Sequence, residues 1–264
     1  MKLSVVLATY NEENNIGQCL QSVRDLADEI IIVDGKSTDR TVEIAKQYDA
    51  KIIVTDNPPI FHINKQKAID LATGDWILQL DADERVTLEL KKEILSAICL
   101  PLSTINGYWI PRKNWFLGRF LMKGGQYPDY TLRLYRKGKG KLPCKNVHEQ
   151  AIVDGEVGYL KNPLIHMADI NINRYLKRWD RYTNLLAGEI KDILQQQNIF
   201  MRISTGGIYL IIKPWYWFLL TYFRHKGFMD SWQGFVFSLF SAWRFPVAYI
   251  KYLIRGGKIT YEKS

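Results

Sequence analysis

Short apolar segments alternate with helix-length segments through the first hundred residues. The apolar segments span residues 3–8, 30–33, 51–54 and 76–80. Continuous apolar runs of this length are typical of parallel strands that helices cover on both faces. Between them, apolar residues recur at the spacing of a helix. This strand–helix order predicts an α/β fold with a twisted, mainly parallel sheet and right-handed crossovers.

The fourth predicted strand ends in two carboxylates. Asp81 and Asp83 follow Leu80 directly, and the small Ala82 leaves room between them. In open α/β sheets, ligands bind beyond the carboxyl ends of the strands. Neighbouring carboxylates suit Mg²⁺ or Mn²⁺, which completes its shell with substrate phosphate oxygens and water. The alternative is an acidic turn before a helix that begins near Thr87.

Polar loops follow the first two strands, at residues 9–12 and 34–39. We expect them at the same edge of the sheet as Asp81. Asp34 ends its strand, so its carboxylate can accept an N–H from a nucleobase, whereas Ser37 and Thr38 are expected to cap the next helix. Neither loop matches the glycine-rich dinucleotide motif or the P-loop, which disfavours a dehydrogenase or an ordinary ATPase.

Charge is divided unevenly along the chain. Residues 1–100 have a net charge of −6, and residues 101–264 have a net charge of +15. A basic second part indicates an acidic partner, such as nucleic acid, anionic lipid or a phosphorylated glycan. The sequence has no helix-turn-helix, RNP-like or zinc-binding pattern, so we expect no nucleic-acid partner. A non-enzymatic basic protein that binds membranes stays an alternative.

Aromatic residues and cations are concentrated at the end of the chain. The last 64 residues hold 17 of the 34 aromatic residues, 9 Lys+Arg and 2 acids. Their apolar runs are interrupted by cations before they reach the 18–20 residues that a spanning helix needs. The composition predicts interfacial helices, with the rings at the headgroups and positive charge toward anionic lipid. The alternatives are an aromatic helical cap and a hairpin that penetrates one leaflet.

Three segments together resemble family 2 glycosyltransferases, which have the GT-A fold. They are residues 7–12 (LATYNE), 32–41 (IVDGKSTDRT) and 80–84 (LDADE). Residues 129–138, 147–149 and 163–166 are similar to the bacterial branch that contains lipopolysaccharide-core β-glucosyltransferases. The resemblance implies a nucleotide-sugar-binding half at 1–100, an acceptor-binding half at 101–170, and a helical membrane-associated region at 171–264.

The resemblance also implies the reaction. A hexose, glucose by similarity to that branch, would pass with inversion from a UDP-sugar to a hydroxyl of a lipid-linked glycan such as the lipopolysaccharide core. The enzyme would work at the cytoplasmic face of the inner membrane, peripheral or monotopic, with anionic lipid as a partner. The three cysteines are far apart, which fits a reducing compartment. A polyprenyl-phosphate acceptor is the alternative, and it would need cations rather than a base.

The resemblance assigns roles to residues across the first 170 positions. A divalent metal, Mg²⁺ or Mn²⁺, would be held by Asp83, with Asp81 and His148 as further ligands. Residues that would bind the nucleotide-sugar are Thr9, Tyr10, Asn11, Glu12, Asp34, Lys67, Asp81, Ala82, Arg133 and Arg136. His166 is expected to have a structural role.

Two carboxylates compete for the role of general base, which takes the proton of the acceptor hydroxyl. Glu149, in the Val-His-Glu segment, is favoured over Asp129. Arg133 and Arg136 are three residues apart, so they point to opposite faces of a strand. We therefore expect at most one of them to face the site, unless the strand bulges.

Overall fold

The computed structural model describes residues 1–100, 104–144 and 150–254. Two predicted site residues, His148 and Glu149, lie outside the described residues. The described residues that follow them include a short strand at Ile152–Val153.

The chain divides into two units. The first comprises residues 1–113 and 129–167, and the second comprises residues 114–128 and the described residues from 168 onward. The sequence groups residues 114–128 with the segment 101–170, but the structure groups them with the second unit.

Four parallel strands form one half of the main sheet, in the order β3-β2-β1-β4. They are β1 (Leu3–Thr9), β2 (Glu29–Asp34), β3 (Lys51–Val54) and β4 (Trp76–Leu80). The associated helices are α1 (Ile16–Val23), α2 (Thr41–Lys46), α3 (His62–Leu71) and α4 (Leu88–Ile98). Each strand overlaps the segment that the apolar pattern predicts. The expected α/β fold is confirmed.

The rest of the main sheet is largely antiparallel. Its strands are β5 (Glu84–Val86), β6 (Ile105–Phe116), β7 (Arg119–Phe120), β8 (Asp129–Arg136), β11 (Glu156–Tyr159) and β12 (Leu164–Asp169). The strands β9 (Gly140–Lys141) and β10 (Ile152–Val153) form a separate two-stranded sheet. β8 is antiparallel to both β4 and β6. The sheet is therefore mixed rather than mainly parallel.

Apolar clusters cover both faces of the sheet in the first unit. On one face, Leu7 of β1 belongs to the same buried cluster as Leu20 of α1 and Leu90 of α4. On the other face, Val6 belongs to a cluster with Ala68 of α3. Successive β1 side chains thus enter different cores, and the burial of both faces holds the carboxyl ends of the parallel strands in place.

Helices make up most of the second unit. The helix α5 (Ile172–Gln195) is followed by α6 (Ile199–Gly207), a π-helical segment (Ile208–Ile212), α7 (Lys213–Phe218), a second π-helical segment (Leu219–Arg224) and α8 (Ser231–Ile254). We call residues 199–254 the helical hairpin, with limbs 199–224 and 231–254. A single 3₁₀ turn, Gly227–Asp230, precedes the second limb. Within the described residues, no helix has both the length and the apolar character needed to cross a membrane.

The tip of the helical hairpin is tightly packed. Lys226 has a left-handed backbone, with φ of 58°. A Cβ added at Gly234 would lie 1.9 Å from the carbonyl oxygen of Gly227. The buried Asp230 accepts a hydrogen bond from the backbone N–H of Lys123, 2.7 Å away. Contacts this close require glycine at position 234 and fix where the second limb begins.

Candidate functional site

The loops after β1 and β2 are joined by hydrogen bonds around Asp34. The Asp34 carboxylate is fully buried and accepts from the Thr9 hydroxyl at 2.9 Å and from the Ser37 N–H and hydroxyl at 2.7 and 2.6 Å. Ser37 Oγ in turn accepts from the Asn11 N–H at 2.8 Å. The structure therefore gives Asp34 a role in holding the two loops together. Its contact with a nucleobase stays a prediction.

Further contacts between the same loops show that the predicted helix caps are wrong. Thr38 donates its N–H to Asn11 Oδ1 at 2.8 Å. The N–H of Thr41, the first residue of α2, instead donates to the Asp39 carboxylate at 3.0 Å. Ser37 and Thr38 thus form hydrogen bonds with the β1 loop, whereas Asp39 accepts the first N–H of the helix.

The remaining predicted residues of the β1 loop lie at the same edge. Glu12 donates its N–H to Thr41 Oγ1 at 2.7 Å, and its carboxylate accepts from Asn15 Nδ2 at 2.7 Å. Tyr10 is 47% exposed at the end of β1. An exposed ring beside a rigid polar loop is suited to stacking on the flat face of a base.

The Asp81 carboxylate lies between two buried cations. Oδ1 pairs with Lys65 Nζ, and Oδ2 is 2.5 Å from Arg133 Nη2. The lysine predicted to bind the nucleotide-sugar is Lys67 instead, but Lys67 is exposed and donates to Thr55 Oγ1 at 3.2 Å. Lys65 is therefore the lysine of α3 that reaches Asp81. Both oxygens of the predicted metal ligand Asp81 are paired with cations.

A β-bulge directs Arg133 toward this group. In the β6–β8 pairing, Tyr108 is opposite Leu134 and Trp109 is opposite Leu132, so Arg133 is the extra residue of β8. A bulge re-aims a side chain and interrupts the normal alternation of faces. The strand thus bulges, yet of the two arginines only Arg133 is brought to Asp81.

Arg136 is not brought to the site. It lies opposite Trp76, at the start of β4, whereas Asp81 follows the other end of that strand. Its guanidinium carbon is 4.8 Å from the centre of the Trp76 ring, and its Nε donates to the carbonyl of Ile105 at 3.2 Å. The structure therefore does not bring Arg136 to Asp81, and its contact with a nucleotide-sugar stays a prediction.

Alternating charges extend from Asp81 to Asp129. Arg133 Nη2 is also 2.8 Å from Oε1 of the fully buried Glu84. The same Glu84 oxygen is 3.5 Å from Arg112 Nη1, and Arg112 donates to Asp129 Oδ2 from Nε at 3.0 Å and from Nη2 at 2.7 Å. We call the chain Lys65–Asp81–Arg133–Glu84–Arg112–Asp129 the charge chain. Its three cations and three anions balance.

The charge chain sets the ionisation of Asp81. Burial disfavours the charged carboxylate, but Arg133 and then Lys65 outweigh burial and hold the pKa of Asp81 well below its usual range. Burial lowers the pKa of Lys65, an effect that Asp81 partly offsets. Burial also opposes the charge of Arg133, yet Asp81 and Glu84 raise the pKa of its guanidinium.

Asp83 faces a histidine across the edge of the sheet. Asp83 Oδ2 and His166 Nε2 are 3.6 Å apart, and both side chains are largely buried. The backbone fixes this pair, because Met167 donates its N–H to the Asp83 carbonyl at 2.8 Å and His166 is opposite Glu84 in the β5–β12 pairing. Ala82, between the two aspartates, is buried in the apolar core.

The Asp83–His166 pair fits a divalent cation in part. Carboxylate oxygen suits Mg²⁺ and Mn²⁺, and neutral imidazole suits transition ions, so the two donors together fit Mn²⁺ better than Mg²⁺. In the part of the chain that the structure describes, no three His, Cys, Asp or Glu side chains form a metal-binding group. Phosphate oxygens and water commonly supply the other positions of such ions.

Comparison with known proteins identifies the family. The model of "Glycosyl transferase family 2" matches residues 4–152, more than half of the chain. The chain belongs to glycosyltransferase family 2. It is therefore a glycosyltransferase, and the matched residues include both polar loops, β4 with Asp81 and Asp83, and the bulged strand β8.

Individual relatives are similar over nearly the full length of this glycosyltransferase. The lipopolysaccharide core biosynthesis glycosyltransferase LpsC of Rhizobium meliloti is 26% identical over 260 residues, which cover 92% of this chain and 91% of LpsC. An uncharacterized glycosyltransferase of Rickettsia typhi is 28% identical, covering 91% of this chain and 83% of that protein. The crystal structure of S. aureus TarS 1–349 in complex with UDP has a TM-score of 0.48 at 18% identity, covering 88% and 75% of the two chains.

Proposed function

We propose that this glycosyltransferase transfers glucose, with inversion, from a UDP-sugar to a hydroxyl of a lipid-linked glycan of the lipopolysaccharide-core type. The observation that carries the proposal is the Asp83–His166 pair at the carboxyl end of β4. It lies next to Asp81, which forms ion pairs with Lys65 and Arg133. The name of the Rhizobium meliloti relative supports the choice of acceptor. The motifs of the β1 and β2 loops support a nucleotide donor.

A nucleoside diphosphate is a good leaving group once its charge is neutralised. Asp83 and His166 would hold a divalent ion, which when bound supplies Lewis-acid stabilisation of the leaving diphosphate. Lys65 and Arg133 add two positive charges beside it, already oriented by Asp81. Thr9, Asn11 and Ser37 keep the loops rigid where the nucleoside would lie. The charge stabilisation thus requires little rearrangement during the reaction.

The acceptor hydroxyl needs a base on the side of the sugar opposite the leaving group, since inversion proceeds by a single displacement. Asp129 Oδ2 is engaged by Arg112, which donates two hydrogen bonds to it. This pairing supports Glu149 as the base.

The proposed acceptor is attached to a lipid, so the enzyme would work at the cytoplasmic face of the inner membrane. The apolar and positively charged helical hairpin supports association with anionic lipid. The association would keep the protein monotopic or peripheral.

Substitution at the metal pair tests the proposal. We expect Asp83→Asn and His166→Ala each to lower Mn²⁺-dependent turnover of UDP-glucose at least about a hundredfold, because a catalytic metal contributes several kcal/mol to the transition state. The matched control is Asp154→Asn, which removes an exposed carboxylate paired with Lys139. Released UDP is the readout. Full activity of both site variants would contradict the proposal.

A second comparison separates the two classes of acceptor. If the acceptor is a hydroxyl, Glu149→Gln should abolish transfer while leaving UDP binding intact, and Asp129→Asn should have the smaller effect. If both variants transfer sugar at the normal rate, an acceptor that is already ionised, such as a polyprenyl phosphate, replaces the hydroxyl in the mechanism.

A further inference from the structure

Large apolar side chains face outward along the helical hairpin. Phe200 is 82% exposed, Trp215 is 66% exposed and Trp243 is 58% exposed. Between the limbs lies a groove of about 480 Å³, and every side chain that lines it is apolar. Its lining includes Leu210, Trp215, Phe218, Phe235, Trp243 and Ile250. An exposed apolar surface of this extent marks a contact with a protein or a membrane.

Two cations of the limbs, Lys213 and Arg244, lie against aromatic rings of the helical hairpin. Lys213 Nζ is 3.5 Å from the centre of the Tyr209 ring, and the Arg244 guanidinium carbon is 4.7 Å from the centres of the Trp217 and Phe245 rings. Tyr209 and Phe245 are themselves buried. These two cations are thus held against rings of the helical hairpin, while large apolar side chains remain exposed on its outer face.

Charges that remain exposed in the helical hairpin are positive. Arg224 and Lys226 are exposed at its tip, close in sequence to the exposed Phe228 and Trp232. Within residues 199–254, all of which the structure describes, the sole acid is Asp230, and it is buried. This arrangement complements an anionic lipid surface. A second copy of the chain would bring the same positive charges to the contact.

We propose that the outer face of the helical hairpin inserts among the acyl chains of one leaflet of an anionic bilayer, with the tip cations at the lipid phosphates. This deepens the membrane association contained in the proposed function, but it does not depend on which sugar is transferred. It also differs from binding at the headgroup level, because the side chains of the groove would be buried in hydrocarbon.

Flotation with vesicles tests the mode of binding. We expect the full-length protein to float with vesicles of phosphatidylcholine and phosphatidylglycerol, and to stay bound at about 1 M NaCl, where charge interactions are screened beyond about 3 Å. Substituting Trp215→Glu and Trp243→Glu together should weaken binding at least about tenfold, because charge is costly in hydrocarbon. The matched control is Leu88→Glu, which alters a leucine of the first unit that is 73% exposed. This variant should bind vesicles as the wild type does.

A depth measurement separates insertion from adsorption. Lipids brominated on their acyl chains should quench the tryptophan fluorescence of the bound protein, and Trp215→Phe with Trp243→Phe should remove most of that quenching. Release by salt together with absent quenching would overturn the proposal. So would a stable dimer in light scattering that ignores vesicles, because a second copy would then cover the face.

A measurement of UDP binding distinguishes failure of the membrane proposal from failure of the proposed function. The doubly substituted Trp215→Glu, Trp243→Glu protein should still bind UDP with Mn²⁺, which shows that the first unit is folded. If the wild type inserts into vesicles but binds no UDP, the proposed function fails and the membrane face stands. If it binds UDP but does not insert, the reverse holds.

Discussion

The Arg133 guanidinium donates a hydrogen bond of 2.5 Å to the Asp81 carboxylate, because Arg133 is the extra residue of the β8 bulge. Without the bulge, alternation along the strand would direct this side chain elsewhere. The ion pair therefore depends on the pairing of β8 with β6 as well as on the identity of the two residues. It connects a backbone irregularity to the electrostatics of the site.

Removal of Arg133 should destabilise the first unit. Arg133→Gln leaves Asp81 with one cation and the fully buried Glu84 without its closest one. We expect the free energy of unfolding to fall by about 3–5 kcal/mol, the usual cost of breaking a buried ion pair on one side. Urea denaturation measures it. Arg40→Gln, which removes an exposed pair with Glu43, should stay close to the wild type.

Acid should weaken the fold through Asp81. The pKa of Asp81 is lowered in the folded state, so near its ordinary value of about 3.9 the unfolded chain binds more protons than the folded chain. The resulting stabilisation is present in full above about pH 5 and is lost as the pH falls. Asp81→Asn cannot titrate, so its stability difference from the wild type should shrink between pH 6 and pH 3. A constant difference would contradict this.

The two lysines of α3 should differ in their effect on donor binding. Lys65→Met removes a cation paired with Asp81, whereas Lys67→Met removes one bonded to Thr55. We expect the first substitution to weaken binding of UDP about 10- to 100-fold, as for the loss of a charged hydrogen bond, and the second to have less than about a threefold effect. Calorimetric titration with UDP and Mn²⁺ provides the comparison. Equal losses would show that the position of Lys65 is not special.

The helical hairpin offers a matched pair of glycine substitutions. Gly234→Ala places a Cβ 1.9 Å from the Gly227 oxygen, so we expect a loss of about 1–3 kcal/mol from overpacking. Gly207→Ala meets open space at the end of α6, and there alanine should add about 0.5–1 kcal/mol through its better helix propensity. Thermal unfolding of the two variants in detergent should shift in opposite directions.

The parallel half of the sheet could be predicted because β1, β2 and β4 are almost wholly buried and consist mainly of apolar residues. The strand β6 extends over Ile105–Phe116. Its second half contains Arg112, Lys113 and Asn114, and three consecutive polar residues are a pattern typical of a loop. Arg112 does not mark a loop; it lies in the strand and forms ion pairs with Glu84 and Asp129.

Motifs were enough to locate the edge of the sheet that holds Asp34, Asp81 and Asp83. They could not separate Lys65 from Lys67, because α3 buries the polar residues His62, Asn64 and Lys65 and its apolar pattern gives no orientation. The pairing of Asp83 with His166 joins residues 83 positions apart through the contact of β5 with β12. The sequence alone gives no sign of that contact.

The bulge in β8 also constrains how the length of this strand can change. Deleting one residue between Asp129 and Arg133 would move every side chain before the deletion to the other side of the sheet. Asp129 would then turn away from Arg112, even though every charged residue of the chain were still present. A homologous protein that lacks one position here would have to replace the Arg112–Asp129 ion pair, whatever its motifs suggest.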